Sequence, residues 1–129
     1  MFSMLNNLMN KENLEEYMEL FYQLDQSGEK IRTKTIADEL KTTKGNVSQA
    51  LTKLKKDKLI EYAPYQDIKL TTKGREIGKK IKHNHEISEE FLIKKLGVDP
   101  KQAHREACKI EHALSGSTIN KLARFLNEK

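Results

Sequence analysis

Thr33-Lys-Thr-Ile-Ala-Asp-Glu-Leu40, Lys41-Thr-Thr43 and Lys44-Gly-Asn-Val-Ser-Gln-Ala-Leu-Thr-Lys-Leu-Lys-Lys-Asp57 run on as one stretch, and its reading decides the fold. Ile36, Ala37 and Leu40 recur at helical spacing, as do Val47, Ala50, Leu51 and Leu54, so each half is predicted to form a helix with one apolar face. Thr33 or Thr35 is expected to cap the first helix. The second helix turns Asn46, Ser48, Gln49, Thr52, Lys53 and Lys56 outward, a face of amides, hydroxyls and ammonium groups. Two short helices joined by a tight turn make a helix-turn-helix.

Downstream, Leu59–Tyr62 and 68–70 read as two short strands joined by residues 63–67. A hairpin directly after a helix-turn-helix is a wing. Upstream, residues 11–27 predict a helix, with Leu14, Tyr17, Met18, Phe21 and Leu24 inward, Asn10 as cap and Gly28 as stop. Past the wing, a long helix is expected from Thr71-Thr72 to Leu96, stopped by Gly97. Asp99-Pro100 then caps a helix ending near Ser115, and Ser117 is expected to cap a last one carrying Ile119, Leu122, Ala123 and Leu126. The fold class is therefore mainly α: a winged helix-turn-helix (residues 1–74) with a short β-hairpin wing, followed by a helical domain (75–129).

Charge is unevenly spread along the 129 residues, whose net charge is +5. Residues 1–27 hold one Lys against five acids, residues 28–84 fifteen basic side chains against seven acids, and residues 85–129 eight against seven. A basic centre on a winged helix favours a polyanionic partner over the protein-interaction role some winged helices take. No apolar run approaches the ~20 residues of a membrane helix. The start lacks a basic segment followed by a long apolar stretch, so no signal peptide is expected. A single Cys cannot form an internal disulfide; the expected location is the cytoplasm, with the thiol available as a ligand.

That thiol lies in His104-Arg-Glu-Ala-Cys108-Lys-Ile-Glu111-His112. Positions i, i+4, i+7 and i+8 share a helix face, so His104, Cys108, Glu111 and His112 form one stripe of transition-metal ligand types. An ordinary amphipathic helix would also place polar groups together. The stripe, however, takes the only cysteine and two of four histidines. His85 and Glu89, spaced i, i+4, add a second donor pair, and Glu16 and Glu19 on the opening helix offer two further carboxylates.

Together Tyr17–Tyr22, Ile36-Ala-Asp-Glu-Leu40, Asn46-Val-Ser-Gln-Ala-Leu51, Leu70-Thr-Thr-Lys-Gly74 and Glu106-Ala-Cys-Lys-Ile-Glu-His112 resemble the diphtheria-toxin-repressor family, which includes the manganese transport regulators. The resemblance covers residues 11–127. It implies a divalent-metal-activated repressor that binds double-stranded operator DNA as a homodimer, through a helical dimerisation domain, and controls metal uptake or homeostasis genes. It also implies one metal site at Glu16, Cys108, Glu111 and His112, a neighbouring one at His85, Glu89 and His104, and a further carboxylate from Glu19. The chain is expected to group with the two-domain members that lack an SH3-like domain. For DNA, the resemblance points to Thr43, Gly45 and Gln49 as base-contacting or groove-facing positions beside Asn46, and to Arg32, Lys44 and Lys53 as phosphate contacts. The iron-responsive members have Cys where this chain has Cys108 and the manganese regulators have Glu, so Fe(II) is the favoured metal and Mn(II) the alternative. Glu19 belongs to the manganese pattern, and Glu16 stands where the family usually has Asp or Met.

Two rival functions fit parts of the sequence. His85, Glu89 and His104 could form the two-His-one-carboxylate site of a non-haem iron oxygenase, which leaves the winged helix unexplained. A winged-helix repressor controlled by an organic ligand would leave the acid and His residues merely structural.

Overall fold

The computed structural model describes residues 11–63 and 66–127. Among them are six helices and one two-stranded sheet: α1 (Lys11–Ser27), α2 (Thr33–Leu40), α3 (Lys44–Lys56), β1 (Ile60–Glu61), β2 (Lys69–Leu70), α4 (Thr72–Lys94), α5 (Pro100–Ala113) and α6 (Gly116–Asn127). The chain divides after Lys79, within α4, into two compact units. The expected cap Asn10 lies outside the described residues. No described helix is long and apolar enough to cross a membrane.

The first unit is a winged helix. α1 packs on α2, α3 and β2, and α3 packs on α2 and β1. Phe21, Ile36, Val47, Leu51 and Leu54 meet in its core, each at most 1% exposed. Leu20 joins them although it lies off the expected apolar stripe, because α1 is covered by three elements and needs a broader apolar face. β1 and β2 pair antiparallel, Ile60 opposite Leu70 and Glu61 opposite Lys69, a shorter ladder than the predicted strands.

The cap of α2 differs from expectation. It is Arg32, in extended conformation and without a side-chain cap bond, rather than Thr33 or Thr35. Ile31 forms a bridge with Ile68, which holds the chain extended up to Arg32, so the helix can begin only at Thr33. The turn after α2 places Lys41 at φ 52, in the left-handed region. A non-glycine residue there costs on the order of 1 kcal/mol and persists only where surrounding contacts hold it. Thr43 then caps α3, its hydroxyl accepting from the backbone N–H of Asn46 at 3.1 Å.

In the second unit α4 ends at Lys94, short of the expected Leu96, in a glycine stop. Gly97 has φ +67, and its N–H donates to the Ile93 carbonyl at 3.1 Å, the five-to-one bond of an αL cap, while the Val98 N–H donates to the Leu92 carbonyl at 2.9 Å. The Asp99 carboxylate caps α5, accepting from Lys101 and Gln102 N–H groups. α5 stops at Ala113 rather than near Ser115. Ser115, not Ser117, caps α6, its hydroxyl accepting from Thr118 N–H at 3.2 Å. Leu114 is already extended, so Ser115 is the first residue able to turn back toward a new helix. Leu92 of α4 packs on Ala103 and Ala107 of α5, flanked by Phe91, Ile93, Val98 and Ile110. Small residues at that crossing bring the two helix backbones close, and the polar side chains one turn away meet as a result.

Candidate metal centre and DNA-binding face

His85, on α4, is buried with its two ring nitrogens facing different donors. On one side, Nε2 lies 2.8 Å from Glu89 Oε2 and 3.2 Å from His104 Nδ1. His104 Nδ1 and Glu89 Oε2 are in turn 3.3 Å apart. Three donor atoms thus form a triangle. Metal–N and metal–O bonds of about 2.0–2.2 Å set neighbouring ligand atoms about 3.0–3.5 Å apart, so the triangle has nearly the size of one face of a coordination shell. Both imidazole nitrogens face the one Glu89 oxygen, an arrangement in which a shared cation would take all three atoms as ligands.

On the other side, His85 Nδ1 is 3.8 Å from Cys108 Sγ and 3.4 Å from Glu111 Oε2. One donor atom each from His85, His104 and Cys108 lies within 4.8 Å of the others. The Glu111 side chain is 1% exposed, and among the described residues neither of its oxygens accepts a hydrogen bond. His112 Nε2 approaches Glu111 Oε1 at 3.5 Å, with its own side chain 3% exposed. A buried carboxylate without hydrogen bonds is costly unless a cation compensates it. The second unit's donors therefore fit a divalent metal: imidazole, carboxylate and thiol are ligand types for one, and Glu111 calls for positive charge.

The structure brings together His85, Glu89 and His104, the set the resemblance implied. It modifies the other set. Cys108 sits against His85 as well as on the same helix as Glu111 and His112, so the four-residue stripe on α5 is split: His104 is exposed at one end, and Glu111 and His112 are enclosed at the other. Glu16 and Glu19 lie on successive turns of α1 in the first unit, exposed and half-buried respectively.

The candidate DNA-binding face is the N-terminal half of α3. Thr43, Lys44, Gly45, Gln49 and Lys53 are exposed, as is Arg32. A Cβ built on Gly45 would meet only the Thr43 hydroxyl, at 3.8 Å. Nothing in the fold demands glycine there, although glycine in a helix costs roughly 0.5–1 kcal/mol relative to alanine; close approach of a ligand backbone gives a reason for it. Asn46 is different. It is half-buried, and its amide donates to Thr42 Oγ1 at 2.9 Å. Burial pushes the Tyr17 phenol above its ordinary pKa, Thr42 pulls it back through a side-chain hydrogen bond, and the neighbouring Glu16 carboxylate adds to the rise. Sequence reasoning did not find Tyr17 and Thr42 as polar partners, because their contact joins α1 to a turn 25 residues later. Arg32 is held by Asp67 at 3.1 Å and Lys53 lies 3.5 Å from Asp57, both at the surface.

Base reading and phosphate contact separate experimentally. Gln49→Ala is expected to cost about 1–3 kcal/mol on a specific duplex and little on random DNA. Lys53→Ala should weaken both alike and flatten the salt dependence. Competition titrations at several salt concentrations check this, and an equal loss on both DNAs for Gln49→Ala would remove it from base reading.

Comparison with known proteins gives two family matches. Residues 9–68 match the iron dependent repressor N-terminal DNA binding domain, and residues 71–128 match the iron dependent repressor metal binding and dimerisation domain. The transcriptional regulator MntR of Bacillus subtilis is 33% identical over 114 residues, covering 88% of this chain and 80% of that one. The iron-dependent repressor IdeR of Mycobacterium leprae is 29% identical over 123 residues, covering 95% of this chain and 53% of that one. The solved structure of the manganese regulator SloR superposes with a TM-score of 0.79 at 30% identity, covering 88% of this chain and 53% of that one. The chain thus spans about half the length of IdeR and SloR.

Proposed function

Since the chain belongs to the iron dependent repressor family, whose members are metal-dependent transcriptional repressors rather than enzymes, we propose that it represses metal uptake or homeostasis genes by binding operator DNA as a homodimer when Fe(II) is bound. The single observation that carries this reading is the convergence of Glu89, His104, Cys108 and Glu111 on the two nitrogens of His85. The family membership removes the oxygenase alternative. A repressor governed by an organic ligand is disfavoured by the donor cluster, for which such a ligand gives no reason.

In this reading a bound divalent ion supplies positive charge and a fixed coordination shell. The chain does the rest. His85, Glu89 and His104 hold one face of a site whose outer edge, at His104, is open to solvent. Glu111, Cys108 and His112 supply the enclosed donors. We extend the ligand set, on sequence resemblance, to Glu16 and Glu19 of α1, so that occupancy acts on the winged helix. In a twofold dimer the recognition helices must match successive major grooves about 34–36 Å apart. The match of residues 71–128 to a metal binding and dimerisation domain supports a dimer. Thr43, Gly45 and Gln49 read the groove, and Arg32, Lys44 and Lys53 meet phosphates. The assigned location is the cytoplasm.

Cys108 decides the metal. Thiolate is a soft ligand favouring Fe(II) over Mn(II), which prefers carboxylate and water. The test is anaerobic DNA binding as a function of free Fe(II) and free Mn(II), for native protein and Cys108→Glu. The probe is a duplex that the metal-loaded protein selects from a randomised pool. Native protein should respond at lower free Fe(II) than Mn(II), and Cys108→Glu should narrow or reverse the gap. An unchanged preference in the variant removes Cys108 from metal selection. Indifference of the native protein to both ions overturns the reading as a whole.

A further inference from the structure

The motif Leu70-Thr-Thr-Lys-Gly74 joins β2 to α4 and closes on the end of the recognition helix, all within the winged-helix unit. The chain leaves α3 through Lys58, which sits at φ 63 in the left-handed region. A non-glycine residue keeps that conformation only where its surroundings hold it. Thr71 supplies the hold. Its hydroxyl donates to the Lys58 carbonyl at 2.7 Å and accepts from the Gly74 N–H at 3.0 Å, while its own N–H donates to the Leu59 carbonyl at 3.1 Å. One oxygen thus caps α4 and grips the exit of α3. Gly74 brings the two closer still. A Cβ built there would overlap the Leu59 carbonyl oxygen, so any larger residue would push the first turn of α4 off that peptide. Lys73 adds a longer contact, its ammonium 3.5 Å from the Asp57 carbonyl.

We propose that Thr71 and Gly74 are positioning residues through which α4 couples metal occupancy to DNA reading, by holding the recognition helix at its C-terminal end. His85 and Glu89 lie on the same helix, about three turns beyond Gly74. Helix formation is cooperative, so a cation drawing on His85 and Glu89 stiffens α4 back toward its first turn. There the grip is on backbone carbonyls, and moving them moves the end of α3 itself. Hydrogen bonds weaken steeply when misaligned, so the paired bonds of Thr71 set orientation. The apolar contacts of the core do not, because hydrophobic contact is non-directional. Neither Thr71 nor Gly74 is assigned to the metal or to DNA. The inference rests on the proposed ligation by His85 and Glu89, and its test separates the two.

The experiment compares native protein with Thr71→Val, which removes the hydroxyl and keeps the shape, and with Thr71→Ser, which keeps the hydroxyl. A third variant, Asp25→Asn, removes the carboxylate of α1 that Arg75 of α4 meets at 3.1 Å. Calorimetric Mn(II) affinity should stay within about twofold in all four, well below the roughly 10–100-fold that losing a ligand's partner costs. On the selected duplex, the factor by which Mn(II) raises affinity should fall at least about fivefold in Thr71→Val, the lower end of coupling between sites. It should stay near native in Thr71→Ser and Asp25→Asn. Without DNA, Mn(II) should slow amide exchange at Asp57, Lys58 and Leu59, whose N–H groups donate to Lys53, Lys55 and Leu54, in native protein and Thr71→Ser but not in Thr71→Val. A merely structural Thr71 would weaken DNA binding equally with Mn(II) and with chelator, and that result overturns the proposal, as does native coupling in Thr71→Val. An equal fall in Asp25→Asn would route the coupling through α1 and overturn it too. Loss of Mn(II) binding in Thr71→Val would place its effect at the metal and likewise end the proposal. Should Thr71→Val fail to fold by circular dichroism, the native protein decides, and no slowing at residues 57–59 overturns the inference. Native protein that binds no Mn(II) at all contradicts the metal reading itself.

Discussion

Replacing His85 with alanine is expected to lower divalent-metal affinity by at least about 100-fold, since losing even an outer partner of a ligand costs about 10–100-fold. The expectation follows from the two-sided use of the ring. Its Nε2 closes the triangle with Glu89 and His104, and its Nδ1 faces Cys108 and Glu111. One substitution therefore removes a donor and unties both neighbouring groups. Glu89→Ala and His104→Ala, each at the more open side, should cost less. Anaerobic calorimetry with Fe(II) and Mn(II) reads the affinities, and circular dichroism reports whether the helices persist. A His85→Ala protein that binds either ion within about twofold of native would show that the cluster is held for packing alone.

Phe21→Ala is expected to destabilise the protein by about 3–5 kcal/mol, the range for a large aromatic truncated in a closed core. Phe21 is fully buried and meets Tyr17 edge-on, with ring centroids 6.2 Å apart. Its loss leaves a void under the turn of α1 that carries Glu16, Tyr17 and Glu19. At roughly 4 °C per kcal/mol for a domain of this size, the thermal midpoint should fall by about 12–20 °C. A fall under about 4 °C would mean that α1 repacks easily around the lost ring. Bound metal should recover part of the loss, because a ligand that binds only the native state stabilises it.

The winged helix was legible because its signals are local. Ile36 and Ala37, then Val47, Ala50, Leu51 and Leu54, fall at helical spacing and are all buried, while Asp99 caps the helix its position predicted. The caps that were misread depend on tertiary pairing. The Ile31–Ile68 bridge moved the start of α2 away from a threonine cap, and no local propensity in Thr33-Lys-Thr35 carries that information. Choosing Ser115 over Ser117 required knowing that Leu114 is extended.

The metal residues were legible as types and spacings on single helices, such as His85 with Glu89. Which donors share a space was not, because it depends on how closely α4 and α5 cross. Ala103 and Ala107 beneath Leu92 set that approach, bringing Cys108 to His85, 23 residues apart in sequence.

The most direct test of metal-activated DNA binding is the affinity for the selected duplex in chelator against saturating Fe(II) under anaerobic conditions, at fixed salt. The account predicts at least about a tenfold tightening with metal, inside the usual 5–150-fold span of coupled sites. Equal affinity in the two conditions would contradict it, since a ligand that binds both states equally shifts neither.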